Sequence, residues 1–306
     1  HRENILVVPS SLPSYIGMTL PVLNNGVVDS RGYEVTLRWD DKIGNDFRYW
    51  VSPNLSFSRN KIVEQMEVRP NEDYLWRTGK PGNQPFGRKF WGFYDGTAEE
   101  RYRAEFGKDI ADHSVVLQNG DAVYIDMNDD GVINDDDKVA MGYTNVPEYV
   151  MGANLGFEWR GFDLSMQWTG AWNTSRMLQE TLREPLGDTN NKGLLLYQYE
   201  DRWTEETAAT ARLPRASITS KTNNIADSDL YLVDAKYLRL KSVEIGYNFD
   251  MPFMEKIKVN SVRAYANGYN LLTFDVLKIT DPESRTSDRP NYPLTRVFTV
   301  GLKLGF

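Results

Sequence analysis

Between Asp126 and Lys138 the chain reads DMNDDGVINDDDK. Asp126, Asn128, Asp130, Gly131, Val132, Asn134 and Asp137 fall at positions 1, 3, 5, 6, 7, 9 and 12 of a D-x-[DN]-x-[DN]-G loop. Oxygen donors at alternate positions can wrap one hard cation. The glycine permits a sharp turn, Val132 offers its carbonyl, and Asn134 contributes directly or through water. A sensor loop ends in Glu, whereas Asp137 is shorter, and no amphipathic helix pair flanks the segment. Both points favour a static clamp over a helix-opening switch. Without an ion, Asp126, Asp130 and Asp137 repel, and Asp129, Asp135 and Asp136 add to the repulsion. Calcium in a structural role is the expected cofactor; the competing reading is a solvated acidic loop that binds nothing tightly.

Other chemistry is sparse. Trp91 and Tyr94 in KFWGFYDG, and Trp203 in DRWTEE, combine aromatic faces with nearby carboxylates, which suits stacking on and hydrogen bonding to a glycan. The same residues could equally pack loops together or meet a partner. Carboxylates are abundant, but no pair is set across a cleft by the sequence, so no enzyme is expected. The chain has no cysteine and two histidines, His1 and His113, which nearly excludes disulfide scaffolds, Cys/His zinc sites and Cys or Ser–His nucleophiles. Its 35 basic and 43 acidic residues give a net charge of −8, which argues against a nucleic-acid surface.

The elements that must position these residues are strands. At 306 residues, length alone allows two domains or one large β-structure. No apolar run approaches a spanning helix, but period-two alternation recurs over lengths near the roughly 9 to 11 residues of a tilted membrane strand. In GFDLSMQWTGAW, Phe162, Leu164, Met166, Trp168 and Trp172 share one face, and Asp163, Ser165, Gln167 and Thr169 share the other. Leu155, Phe157 and Trp159 alternate likewise, with Arg160-Gly161 predicting a tight hairpin. Tyr33 to Trp39, Phe47 to Ser58 and Val262 to Leu272 are further strands, and Ile5 to Val8 resembles the end of another. Val243, Ile245, Tyr247 and Phe249 make a further face, but Leu238 and Leu240 fall on the other parity, so the phase slips around Lys241, as a bulge or a strand leaving the bilayer would cause. Connections near Lys42, Arg160 and Met254 are short, while those over 61–147, 174–229 and 273–293 are long and polar. Trp39, Trp159 and Phe162 lie by the short turns, as an interfacial girdle would. Glu34, Arg38, Glu158, Asp163 and Gln167 would face a lumen. The fold expected is all-β: an antiparallel transmembrane β-barrel segment with long extracellular loops in a Gram-negative outer membrane. The last strand carries apolar residues at every second position, Phe298, Val300, Leu302, Leu304 and the terminal Phe306. This pattern resembles a barrel-assembly signal.

The wording of the segments is more specific. LPSYIGMTLPVLNNGVVDSRGYEVTLRW, NLSFSRNKIV, GDAVYIDMNDDGVINDDDKVAMG, YVMGANLGFEWRGFDLSMQWTGAWN, DRWTEE, YLVDAKYLRLKSVEIGYNF, VRAYANGYNLLTF, DPES and FTVGLKLGF occur in that order. Together they resemble the C-terminal barrel region of SusC/RagA-type TonB-dependent outer-membrane transporters, over nearly the whole chain. The resemblance implies that residues 1–306 are the final part of a plugged barrel of about 22 strands. The plug and TonB box would precede it: HRENILVV shows no initiator Met or signal peptide and reads as a chain entered partway through. It further implies active import of oligosaccharide, or of peptide, with a SusD-like surface lipoprotein, TonB and outer-membrane lipid as partners. A dimer of the transporter–lipoprotein pair is compatible with it. Two other classes stay open. A soluble calcium-dependent carbohydrate-binding β-protein would partition into buffer without detergent, and a porin would need no plug.

Overall fold

The computed structural model describes residues 1–7, 22–186, 193–217, 221–249, 259–284, 292 and 294–306. Its strands are β1 Arg2–Val7, β2 Leu23–Thr36, β3 Trp39–Ile43, β4 Phe47–Glu64, β5 Phe86–Gly87, β6 Phe90–Phe93, β7 Ala122–Tyr124, β8 Val139–Ala140, β9 Tyr149–Trp159, β10 Phe162–Trp172, β11 Ser175–Met177, β12 Leu232–Asp234, β13 Tyr237–Phe249, β14 Ser261–Asp275 and β15 Val297–Gly305. Helices α1 Ala98–Phe106, α2 Leu196–Asp201 and α3 Lys221–Asn224 lie in the long connections.

The long strands form one antiparallel sheet in the order β1-β2-β4-β9-β10-β13-β14-β15, with β3 also on β4. The sheet does not close, so the expected barrel is present as an open wall whose edges are β1 and β15. β2 and β3 run along the same partner: Thr36 faces Asn54 and Trp39 faces Val51. Opposite the break lies Pro53, which has no N–H to give, although its carbonyl accepts from the Leu37 N–H at 3.0 Å. Counted as one broken strand, β2 and β3 leave eight positions across the wall. The expectation of seven strands plus the end of an eighth at Ile5 agrees, while Val8 lies outside the described residues.

At one end the connections are short. Trp159 faces Phe162 across Arg160 and Gly161, whose φ values of 46° and 89° are the left-handed pair of a type I′ turn. Ile43 faces Phe47 across Gly44 to Asp46, and Arg160 Nε donates to Asp46 Oδ2 at 2.9 Å. The short connection expected near Met254 lies outside the described residues. At the other end, residues 65–148 and the described residues of 173–236 fold into one assembly. The Ala122 N–H donates to Asn224 Oδ1 at 2.9 Å, Asn223 Nδ2 to the Ala122 carbonyl at 2.8 Å, and the Phe90 N–H to Asp229 Oδ1 at 2.8 Å. Ala122, Tyr124 and Ile133 make one small core, and Leu178, Leu182 and Tyr231 a second.

The two sides of the wall differ as the alternation requires. One side carries exposed Tyr33, Val35, Trp39, Val51, Trp159, Phe162 and Ile245, and continues on β15 through Phe298, Val300, Leu302 and Leu304. Val300 is 83% exposed, a poor arrangement against water and a suitable one against lipid. On the other side Arg263 bridges Asp163 and Glu244, and Arg48 meets Asp40 at 2.8 Å and Glu158 at 3.6 Å.

Candidate functional site

The acidic segment folds as a closed loop within the loop assembly, its Ile133 packed in the core with Ala122 and Tyr124. Gly131, at φ +84°, donates its N–H to Asp126 Oδ2 at 2.9 Å, and the Val132 N–H donates to Asp130 Oδ1 at 2.8 Å. Asp137 is fully buried and takes the Met127 N–H at 2.8 Å on one oxygen and the Asn134 N–H at 2.7 Å on the other. The side chains of Asn128 and Asn134 both donate toward Asp130 Oδ2, at 3.0 and 3.5 Å. The sequence spacing therefore brings Asp126, Asn128, Asp130, Asn134 and Asp137 into one hydrogen-bonded turn, closed by a short helical turn over Asp135–Asp137. Burial, with the charges of Asp126 and Asp130, holds the Asp137 carboxyl above the usual carboxylate range.

Neighbours brace the loop. Tyr74 Oη donates to the Asp136 carbonyl at 2.6 Å, and burial pushes its hydroxyl pKa up to about 12. Arg88 Nε donates to the Asn134 carbonyl at 3.2 Å, and Asp112 bridges Val132 through main-chain bonds. His113 lies behind Tyr124. Its Nδ1 is 2.7 Å from the Ala111 carbonyl and its Nε2 accepts the Tyr124 N–H at 2.9 Å, which makes Nδ1 the protonated nitrogen. Burial holds the His113 pKa below its ordinary value.

The three aromatics expected to meet ligand have other contacts. Trp91 donates its indole N–H to Glu105 at 2.7 Å, lies edge-on to Tyr102, and carries the Arg101 guanidinium 5.1 Å above its ring. Trp203 is buried over Gly120, where an added Cβ would come within 2.5 Å of the indole. Tyr94, half-buried, exchanges main-chain bonds with Gly120 and Asp121 at 2.8 Å each. Tyr94 and Trp203 thus meet at Gly120, and Trp91, in β6, packs against α1.

Polar cavities lie elsewhere in the loop assembly. One of about 560 Å³ beside β11 is lined by Arg77, Asn83, Asn145, Arg176, Gln179 and Asp227. Another, of about 760 Å³, presents Tyr143 with Arg59, Asn60, Gln84 and Glu148. Sequence reasoning passed over both, because each set is scattered over distant segments. It also missed Arg239, almost fully buried, which donates to Asp281 at 2.7 Å, Glu283 at 2.6 Å and Thr273 at 3.0 Å. The DPES wording marked the carboxylates; nothing local marked their partner.

No family model matches the chain. It is 26% identical, over 330 aligned positions, to TonB-dependent receptor P3 of Formosa agariphila, an alignment covering 98% of this chain and 31% of the receptor. The chain is a homologue of TonB-dependent receptors. TonB-dependent receptor P26 of the same organism is 26% identical over 329 positions, covering 100% of the homologue and 32% of that receptor. The homologue thus spans about a third of the length of the curated relatives it matches. Its fold is shared with the RagAB peptide importer. The open-open state matches with a TM-score of 0.69 at 18% identity, over 99% of the homologue and 31% of the importer chain. The closed-closed state matches at 0.68 and 20% identity, over 99% and 32%. TonB-dependent receptors are outer-membrane transporters rather than enzymes. They reside in the Gram-negative outer membrane, whose lipid suits the apolar side of this wall.

Proposed function

We propose that the receptor homologue is the C-terminal barrel portion of a SusC/RagA-type importer, and that it supplies wall and external loops for TonB-dependent uptake of an oligomeric nutrient. The observation that carries this reading is the wall itself. It has one apolar side, one side of paired charges, short turns at one end and a co-folded loop assembly at the other. Such an object has unpaired strand edges and needs the rest of a barrel to complete it. A soluble carbohydrate-binding protein has no use for the exposed row from Phe298 to Leu304.

In this reading a SusD-like lipoprotein closes over the loop assembly and TonB acts on a plug outside this chain. Ligand meets the hydrogen-bonding groups around Arg77, Asn145, Arg176 and Gln179 beneath the loops. Oligosaccharide is the substrate first expected. Peptide is the second reading, favoured by the fold shared with a peptide importer. The test is uptake of labelled glycan and peptide pools by cells carrying the complete receptor and its lipoprotein, with and without TonB. Accumulation that requires TonB, from one pool, supports the proposal and assigns the substrate class. Equal accumulation without TonB would sink it.

A further inference from the structure

We propose that the 126–137 loop is a binding site for one hard divalent cation of the calcium class, held by oxygens of Asp126, Asn128, Asp130, Val132 and Asp137, with Asn134 direct or through water. This goes beyond the import reading and does not depend on it.

Two independent observations carry it. First, Asp126 is 5% exposed, and its Oδ1 is buried without a hydrogen-bond partner, while Oδ2 takes the Gly131 N–H inside the same loop. An unpartnered carboxylate oxygen is costly to bury, and a cation in the loop removes that cost. Second, the loop sorts its charges. Asp129 is paired by Lys108, and Asp135 by Lys138 at 2.9 Å and Arg88 at 3.9 Å. Neither aspartate stands at a ligand position. Among the described residues no Lys or Arg pairs with Asp130 or Asp137, and Asp126 meets one only at 4.0 Å. Asp129 and Asp135, outside the ligand pattern, are each paired by a cation of the protein; Asp126, Asp130 and Asp137, within it, have no such pair closer than 4.0 Å among the described residues, and Asp126 keeps one oxygen without a partner.

The donor chemistry sets the class of ion. Every donor at the ligand positions is oxygen, the loop holds no Cys or His, and His113 is engaged by Ala111 and Tyr124. Carboxylates alone do not close the shell. Among the described residues no group of three His, Cys, Asp or Glu is already gathered to hold a metal, these three carboxylates included, so binding has to draw them in together with the amide and main-chain oxygens of the pattern. Lys108 adds a control on affinity. Its ammonium lies 3.2 Å from the Asp126 carbonyl, close enough to weaken attraction for a second cation. An ion here would fasten Tyr74, Arg88 and Asp112, which come from three separate parts of the 65–148 connection.

The test is calorimetric titration of calcium chloride into chelator-stripped complete receptor in detergent, comparing wild type with Asp130→Asn, Asp129→Asn and Lys108→Gln. Asp130 is exposed and Asn preserves its acceptor oxygen, so the variant keeps the fold; arrival at the outer membrane checks this. Expected is one calcium equivalent that Asp130→Asn weakens by about tenfold or more, Asp129→Asn leaves in place, and Lys108→Gln tightens several-fold. At a calcium level that fills the wild-type site, cleavage of the 65–148 connection should slow in wild type, Asp129→Asn and Lys108→Gln but not in Asp130→Asn. Identical stoichiometry and affinity in wild type and Asp130→Asn would overturn the site. Calcium binding that is lost in Asp130→Asn but unchanged in Lys108→Gln would keep the site and remove the role given to Lys108.

Discussion

Leu240 and Val243 face the same side of β13 although three positions separate them. Leu240 pairs with Trp168 and Leu272, Val243 pairs with Met166 and Gly268, and Lys241 has no partner on either neighbouring strand. The extra residue bulges, so the apolar side continues unbroken from Tyr247 through Ile245 and Val243 to Leu240 and Leu238. Deleting Lys241 should therefore leave that side intact, and the receptor should still reach the outer membrane folded. Deleting Gly246 from the regular part of the strand should throw half the strand out of phase and abolish assembly. Heat-dependent gel mobility of outer-membrane fractions separates the two. Equal loss from both deletions would contradict the bulge.

β15 presents two different faces, residue by residue. Val300→Arg places a charge on the lipid side near mid-strand and should cost about 2–4 kcal/mol. Lys303→Gln, on the opposite side beside Arg263, should be close to neutral. Denaturant unfolding of the purified receptor in bilayers measures both. Similar effects from the two would mean that the faces are wrongly assigned.

Arg239 holds the third long connection to the wall through Asp281 and Glu283. Replacing it with Met leaves the two carboxylates with Lys241 at 3.2 Å from Glu283 and Arg176 on the Asp281 main-chain carbonyl at 3.3 Å. A loss of about 3 kcal/mol is expected, since Glu283 is partly exposed and the full cost of orphaned buried charges does not apply. Protease should cut the segment around 276–284 faster in this variant. An unchanged cleavage rate would show that the cluster does not anchor the loop.

His113 gives the loop assembly a pH dependence. Its folded pKa is depressed by burial, and a second proton would face the Tyr124 N–H donor. The fold thus favours the neutral ring. This stabilisation is fully present above the unfolded value of about 6.5 and is lost as pH falls from there toward the folded pKa. Amide exchange at Tyr124 should accelerate below about pH 6.5 in wild type, beyond the intrinsic rate change, and not in His113→Asn. The same profile in both proteins would contradict the assignment.

Much of the wall was legible because a sheet with lipid on one side writes its period into the sequence. Phe162 to Trp172, the Arg160-Gly161 turn and the slip at Lys241 are local patterns, and each has its structural counterpart. The acidic loop was legible for the same reason, since its donors lie within one turn. What could not be read is what depends on distant segments. Trp91 and Trp203 look available in sequence, yet Arg101, Tyr102 and Gly120 cover them. The repulsion expected from Asp129 and Asp135 is cancelled by Lys108, Arg88 and Lys138. Only the first two of these cations come from far enough away to be hidden.

The central claim is that this chain spans an outer membrane with its long connections outside. These 306 residues contain no cysteine, so single-cysteine labelling in the complete receptor, with any cysteine elsewhere in it replaced, measures that directly. Cysteine at Ala209, exposed in the second long connection, should react with a membrane-impermeant maleimide on intact cells, and cysteine at Asn45, in a short turn, only after the outer membrane is opened. Labelling of both positions on intact cells, or of Asn45 alone, would contradict the account.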